Sequence, residues 1–274
     1  MTFFFKFCPQ RVREKTTAEV FMTSLAMIDL INCAVTIPLT AVMSIFKEQV
    51  KYELVCKTYH FLASSAVLSA FIVAALAFER YHCICHPHKQ LLTNTRVWLI
   101  IFSLTVFFCV FGVIIVFLKR VDAEGCCDHN YEVFGVLGLK VFYKIFLSFY
   151  PACLLIILIF YVKIFRFISS ARFRRLQQRL QGSHRDKMEN RILRGNVLCA
   201  NAKTAVMLFI VAVVFVVAFL PAWLILQHVL VIPDPYKNVV YHFYFFYNVA
   251  NPFIYAFMSP FFIKQLRKMC LTFN

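Results

Sequence analysis

From Ala18 onward the chain is a series of long apolar runs separated by short polar intervals, with neither the alternation of a half-buried strand nor the single stripe of a surface helix. Six runs reach the length that crosses bilayer hydrocarbon, about 20 mostly apolar residues per helix. They cover residues 18–44, 57–83, 95–117, 136–165, 205–231 and 236–258. The pattern predicts an all-α membrane protein, a single helical bundle over residues 1–274. Residues 1–17 form a cytoplasmic start and loop, and residues 259–274 a short amphipathic helix and tail. Composition agrees: 61% of the 274 residues are hydrophobic and only 15% charged, too few to cover such a core with a polar surface in water.

A formal charge of +16 would suit nucleic acid, but the placement of the basic residues decides otherwise. Eleven of the 29 Lys and Arg fall within residues 163–203, and more lie before the first run, around 80–96 and after 258. The other face holds only Lys47, Lys51, Lys57, Lys119, Arg120, Lys140, Lys144 and Lys237. By the positive-inside rule both termini are cytoplasmic, and the basic loops lie against anionic lipid rather than nucleic acid. The opening MTFFFKFCPQRVREK is too short to span and lacks a signal peptide's pattern, so the first run itself must direct insertion. Most of the 11 cysteines lie inside apolar runs. Cys56, Cys126 and Cys127 instead lie at the outer, oxidising face, where a bridge from Cys56 to either Cys126 or Cys127 is expected.

Charged and kinking residues at membrane depth are costly and call for a function. Three stand out: Asp29 in SLAMIDLINCAVTIPL, Glu79-Arg80-Tyr81 at the inner end of the second run, and Asn251-Pro252 in NPFIY. Together these motifs resemble the rhodopsin-like G-protein-coupled receptors, over about residues 12–270. Ser24-Leu25-Ala26 with Asp29 and Pro38 is similar to that family's second helix. Cys56, Glu79-Arg80-Tyr81 and Pro87 are similar to its third helix and the loop below. Trp98, Pro151, Phe215 with Pro221, and Asn251-Pro252-Phe253-Ile254-Tyr255 match its fourth to seventh helices. Residues 260–270 resemble its amphipathic eighth helix, ending at Cys270, a cysteine of the kind that is palmitoylated. On this alignment the six runs are the family's second to seventh helices and the first is missing, as in a truncated chain.

The resemblance implies a signalling role without chemistry: a ligand favours one arrangement of the bundle, and a heterotrimeric G protein reads the cytoplasmic face. No nucleophile-base pair or metal-ligand cluster suggests an enzyme. Arg80 would be held by Glu79 at rest and released when the sixth helix moves, with Phe215, Phe219 and Pro221 as the lever and Asn251, Pro252 and Tyr255 completing the switch. A second, acidic grip on this Arg is common in the family; here that position is Asn201, which implies ligand-independent signalling. Asp29, Ser69, Asn248 and Asn251 fall at positions that surround a sodium ion in the family, a protonated Asp29 being the alternative. No acid lies in residues 57–78 and no Lys in 239–258, which excludes amine-receptor and retinal-binding chemistry. The outer rim offers Tyr59, His60, Trp223, Gln227, His228, Tyr241, His242 and Tyr244, of which Trp223, Gln227, His228, Tyr241 and Tyr244 are the expected ligand contacts. The expected ligand is a peptide, a neuropeptide for choice, or a lipid-like molecule, met at the plasma membrane.

Three departures from the family pattern matter. Cys56 lies one residue closer to Arg80 than usual, which places a slip of about 100° in helical register between Cys56 and Ser69. The fifth-helix Tyr is displaced, with Ile159 at its usual position and Tyr161 two residues later. Phe219 stands where a Trp is common. Two rival readings are a nonsignalling decoy that pairs with intact receptors, and a six-run channel or transporter. The latter would need spaced Arg in a span, a re-entrant pore segment or inverted repeats, and none is visible.

Overall fold

The structure, a computed structural model, describes residues 17–46, 52–86, 91–123, 125–180 and 188–258. Among the described residues seven helical elements follow in chain order: α1 Thr17–Ile45, α2 Glu53–Cys85, α3 Asn94–Phe117, α4 Tyr131–Leu180, which is kinked at Gly135 (φ 63°), α5 Met188–Leu226, α6 Asp234–Tyr241 and α7 Phe245–Met258. Between α3 and α4 lies a small antiparallel hairpin, β1 Lys119–Val121 and β2 Cys127–His129, with Val121 opposite Cys127. The expected amphipathic segment with Cys270 lies outside the described residues, as do Pro87 and the side chain of Asn201.

Among the described residues five helical stretches are long and apolar enough to cross a bilayer, on α1 to α5. They are apolar on both sides. Phe21, Leu25, Ile72, Leu76, Leu208, Phe215 and Tyr247 fill the interior, while Leu54, Leu137, Val217 and Phe257 point outward, where lipid tails replace water. Because helices satisfy their own backbone groups, the informative places are those where the ladder breaks.

Each break has a local cause. In α1 the residues Asn32–Thr36 form a π turn, the Ile37 N–H bonding to Asn32 O, immediately before Pro38, which has no N–H to give. α2 is two pieces, Glu53–Ala63 and Ser65–Cys85, broken at Ser64 inside the interval assigned to the register slip. There the Ser64 hydroxyl donates to Phe61 O at 2.6 Å. The outer piece packs so closely on α3 that a Cβ at Gly112 would lie 2.6 Å from the Phe61 ring, which is why glycine stands there.

Two expected runs end differently from their sequence limits. The run to residue 231 stops at Leu226, because the chain turns in a Schellman arrangement. Val229 N–H bonds to Leu224 O and His228 N–H to Ile225 O, both at 3.0 Å, with His228 at φ 56°. The run 236–258 is not one helix but α6, a 3₁₀ turn His242–Tyr244 and α7. The tighter turn carries Tyr244 inward, its ring stacked 5.4 Å from that of Phe219.

Candidate functional site

At the inner end of α2, Glu79 and Arg80 are 2% and 4% exposed. A buried carboxylate survives only with partners, and Glu79 has two: the Arg80 guanidinium, bonded to both of its oxygens, and the Thr17 hydroxyl from the start of α1, which donates to Oε1. The Thr17 partner was not foreseen, since nothing local to the sequence links residues 62 apart. Tyr81 turns away toward α4, its ring 5.3 Å from Phe160 and capped by the Lys163 ammonium at 5.4 Å. Tyr161, displaced in sequence, is nevertheless buried, against Phe209 on α5 and within electrostatic reach of Arg80.

Midway through the bundle α1 and α7 share a polar core. Asn251 Nδ2 donates to Asp29 Oδ2 at 2.8 Å, and Asn32 Nδ2 reaches Asn248 Oδ1 at 3.4 Å. Asn32 is the hub that motif reading passed over: its Oδ1 also accepts from Ser65 at 2.7 Å and Thr36 at 3.0 Å. Asp29 Oδ1, Ser69 Oγ and Asn251 Oδ1 are buried without a hydrogen-bond partner, hard oxygens of the type that holds an alkali cation. Three of the four expected residues thus offer oxygens whose chemistry fits a sodium ion, while the Asn248 oxygen accepts from Asn32. Tyr255 and Tyr247 are buried nearby.

Between this core and the outer face runs a column of rings. The rings of Phe215 and Phe219, one turn apart on α5 and ahead of Pro221, lie 4.5 Å from each other, and Tyr247 packs on both at 5.2 and 5.9 Å. Above them opens a cavity of about 150 Å³, lined by α2 (Ala63, Ser64, Ala66, Val67, Ala70), α4 (Phe146, Leu147, Phe149, Tyr150), α5 (Phe219, Ala222, Trp223, Leu226), Tyr241 and Tyr244. Three of the five expected ligand contacts, Trp223, Tyr241 and Tyr244, are therefore brought together. Gln227 and His228 are not among the lining residues, since they belong to the turn after α5 and His228 is exposed. The α4 wall was missed. Its signal was Pro151, which marks where α4 opens toward its neighbours.

The hairpin is tied to α2 by a disulfide between Cys56 and Cys127, with Cα atoms 5.7 Å apart, while Cys126 is a free, half-buried thiol. Cys56, Cys127 and His60 cluster closely, but two sulfurs joined to one another are no metal ligands. On β2, His129 contacts the Tyr143 hydroxyl at 3.5 Å; burial, then the Lys119 charge, hold its pKa below the usual histidine value.

The structure is a helical bundle with spans fit to cross a membrane, a buried Glu-Arg pair toward one end and an aromatic cavity toward the other, the architecture of a multi-pass membrane protein. The family model of the seven-transmembrane receptors (rhodopsin family) matches residues 6–255, and the chain belongs to that family. Squid rhodopsin superimposes with a TM-score of 0.71 at 17% identity, covering 93% of this chain and 75% of that one. The human neuropeptide Y receptor type 4-2 is 27% identical over 95% of this chain and 73% of its own length. The guinea-pig (Cavia porcellus) cholecystokinin receptor type A is 34% identical over 31% of this chain; the matched stretch is only 19% of that receptor.

Proposed function

We propose that the chain is a receptor of the plasma membrane that converts binding of an extracellular peptide into activation of a heterotrimeric G protein. The observation that carries this reading is the continuity of one path. The cavity rests on Phe219, Phe219 packs on Phe215 and Tyr247, and the buried Glu79–Arg80 pair lies below on α2, which lines the same cavity. Ligand binding at one end and Arg80 release at the other are then two states of one packed core, biased by outward movement of α5. Arg suits the inner end because it stays charged and offers donors in several directions to a docking partner.

A peptide is favoured over a lipid by the relatives, whose names include cholecystokinin, neuropeptide Y and neuropeptide FF receptors. None of the cavity's lining side chains is charged, so the inserted part of the ligand is neutral and apolar or aromatic. Asp29, Ser69, Asn248 and Asn251 would hold a sodium ion in the resting bundle, supplying charge balance to a carboxylate that otherwise takes up a proton. Outside the described residues, Cys270 would carry a palmitoyl anchor.

The test is G-protein activation in cells expressing the chain beside an Arg80→Ala control, with surface expression matched. A basal or peptide-evoked signal that Arg80→Ala alters is expected. Silence of both at full surface expression would overturn this reading in favour of a nonsignalling relative.

A further inference from the structure

Pro151 lies inside α4 and has no N–H, so the carbonyl of Leu147, four residues earlier, loses its helical donor. In an apolar bundle such an acceptor needs a replacement. It receives one from the next helix: Trp223 Nε1 donates to Leu147 O at 3.0 Å. A second strap runs the opposite way, from α4 to α5: the Tyr150 hydroxyl donates to Val216 O at 3.0 Å, beside the carbonyl that Pro221 frees. Both straps join α4 to α5 at proline-opened turns. Leu147, Tyr150 and Trp223 also line the cavity, and the Trp223 ring is only half-buried, 6.1 Å from that of Tyr150.

The indole therefore has two tasks that compete: it forms a wall that an occupant must press against, and it holds a carbonyl that has lost its own donor. We propose that Trp223 is a hydrogen-bonded latch through which an occupant of the cavity loosens α4 from α5, a role that rests on the cavity being the ligand site. An apolar or aromatic occupant that turns the ring breaks the bond to Leu147. The unsatisfied carbonyl then favours any arrangement in which the two helices separate or α4 repacks around Pro151.

Replacing Trp98 by Phe leaves Trp223 as the sole tryptophan of the two in the full chain, so ultraviolet resonance Raman reads its indole N–H directly. The hydrogen-bond marker band is expected at its bonded position in this parent. It should move to the unbonded position when the cavity is filled by Val67→Phe or Ala66→Phe. Pro151→Ala, which adds no bulk to the cavity and returns a backbone donor to Leu147, should weaken the indole bond as well. In cells, Trp223→Phe should raise ligand-independent activation several-fold, and Pro151→Ala should cancel the rise. An unbonded indole in the parent overturns the latch, and so does a band that none of the folded variants moves. A band that shifts as expected in a chain that activates no G protein overturns the receptor reading alone.

Discussion

The Thr17 hydroxyl offers the sharpest test of how the resting state is held. Thr17 and Arg80 share one carboxylate, and among the described residues the hydroxyl is the one partner of Glu79 besides Arg80, so removing it leaves the Glu79–Arg80 pair to hold alone. Thr17→Val keeps the shape and deletes the donor, whereas Thr17→Ser keeps the donor. A hydrogen bond to a buried charged group contributes about 1.5–3 kcal/mol, and because Glu79 retains its Arg80 bonds the lower end applies. At about 1.4 kcal/mol per factor of ten, the resting state weakens by roughly tenfold at most relative to the state in which Arg80 is free. Ligand-independent G-protein activation, normalised to surface expression, should rise about three- to tenfold in Thr17→Val and stay near the parent in Thr17→Ser. The rise must vanish on an Arg80→Ala background. An unchanged Thr17→Val, or the same rise without Arg80, would refute the argument.

Three further outcomes follow from the same structure. Replacing choline by sodium at fixed ionic strength should stabilise the purified chain by about 1.4 kcal/mol at tenfold above Kd, read as a higher melting temperature; Asp29→Asn should remove the sodium dependence, and a parent indifferent to sodium would exclude the ion. Cys56→Ala and Cys127→Ala should each reduce thermal stability and surface expression, the 71-residue separation putting the chain-entropy loss at about 4 kcal/mol, whereas Cys126→Ala should not. His129, a base whose folded pKa is depressed, favours the neutral form, so its contribution is present above the ordinary pKa of about 6.5 and is lost as pH falls below that value. The protection of the hairpin amides, taken as hydrogen exchange divided by the intrinsic rate at each pH, should fall on acidification through this range, and His129→Gln should flatten the dependence.

What the sequence could and could not reveal has physical reasons. Spans are legible because lipid demands an apolar exterior as well as an apolar core, so no periodicity has to be resolved. Asp29, Glu79 and Arg80 are legible because their burial is expensive enough to be noticed one residue at a time. Helix ends are harder. The stop after Leu226 is a Schellman turn whose left-handed position is held by His228, where a glycine would have announced it. Partners across the bundle are hardest of all: Thr17 to Glu79, Trp223 to Leu147 and the hub at Asn32 depend on how helices face each other, which spacing along one chain does not encode.

The break at Ser64 divides α2 into two bodies with different attachments. The outer one answers to the hairpin through Cys56 and to α3 through Phe61, while the inner one carries Ser69 and the Glu79–Arg80 pair in the packed core. The outer body meets the cavity at Ala63, whereas, past the break at Ser64, Ala66, Val67 and Ala70 of the inner one form the rest of the α2 wall. On the proposed function, mutation at the outer attachment of α2 can alter which ligand is accepted while the Glu79–Arg80 end is inherited intact.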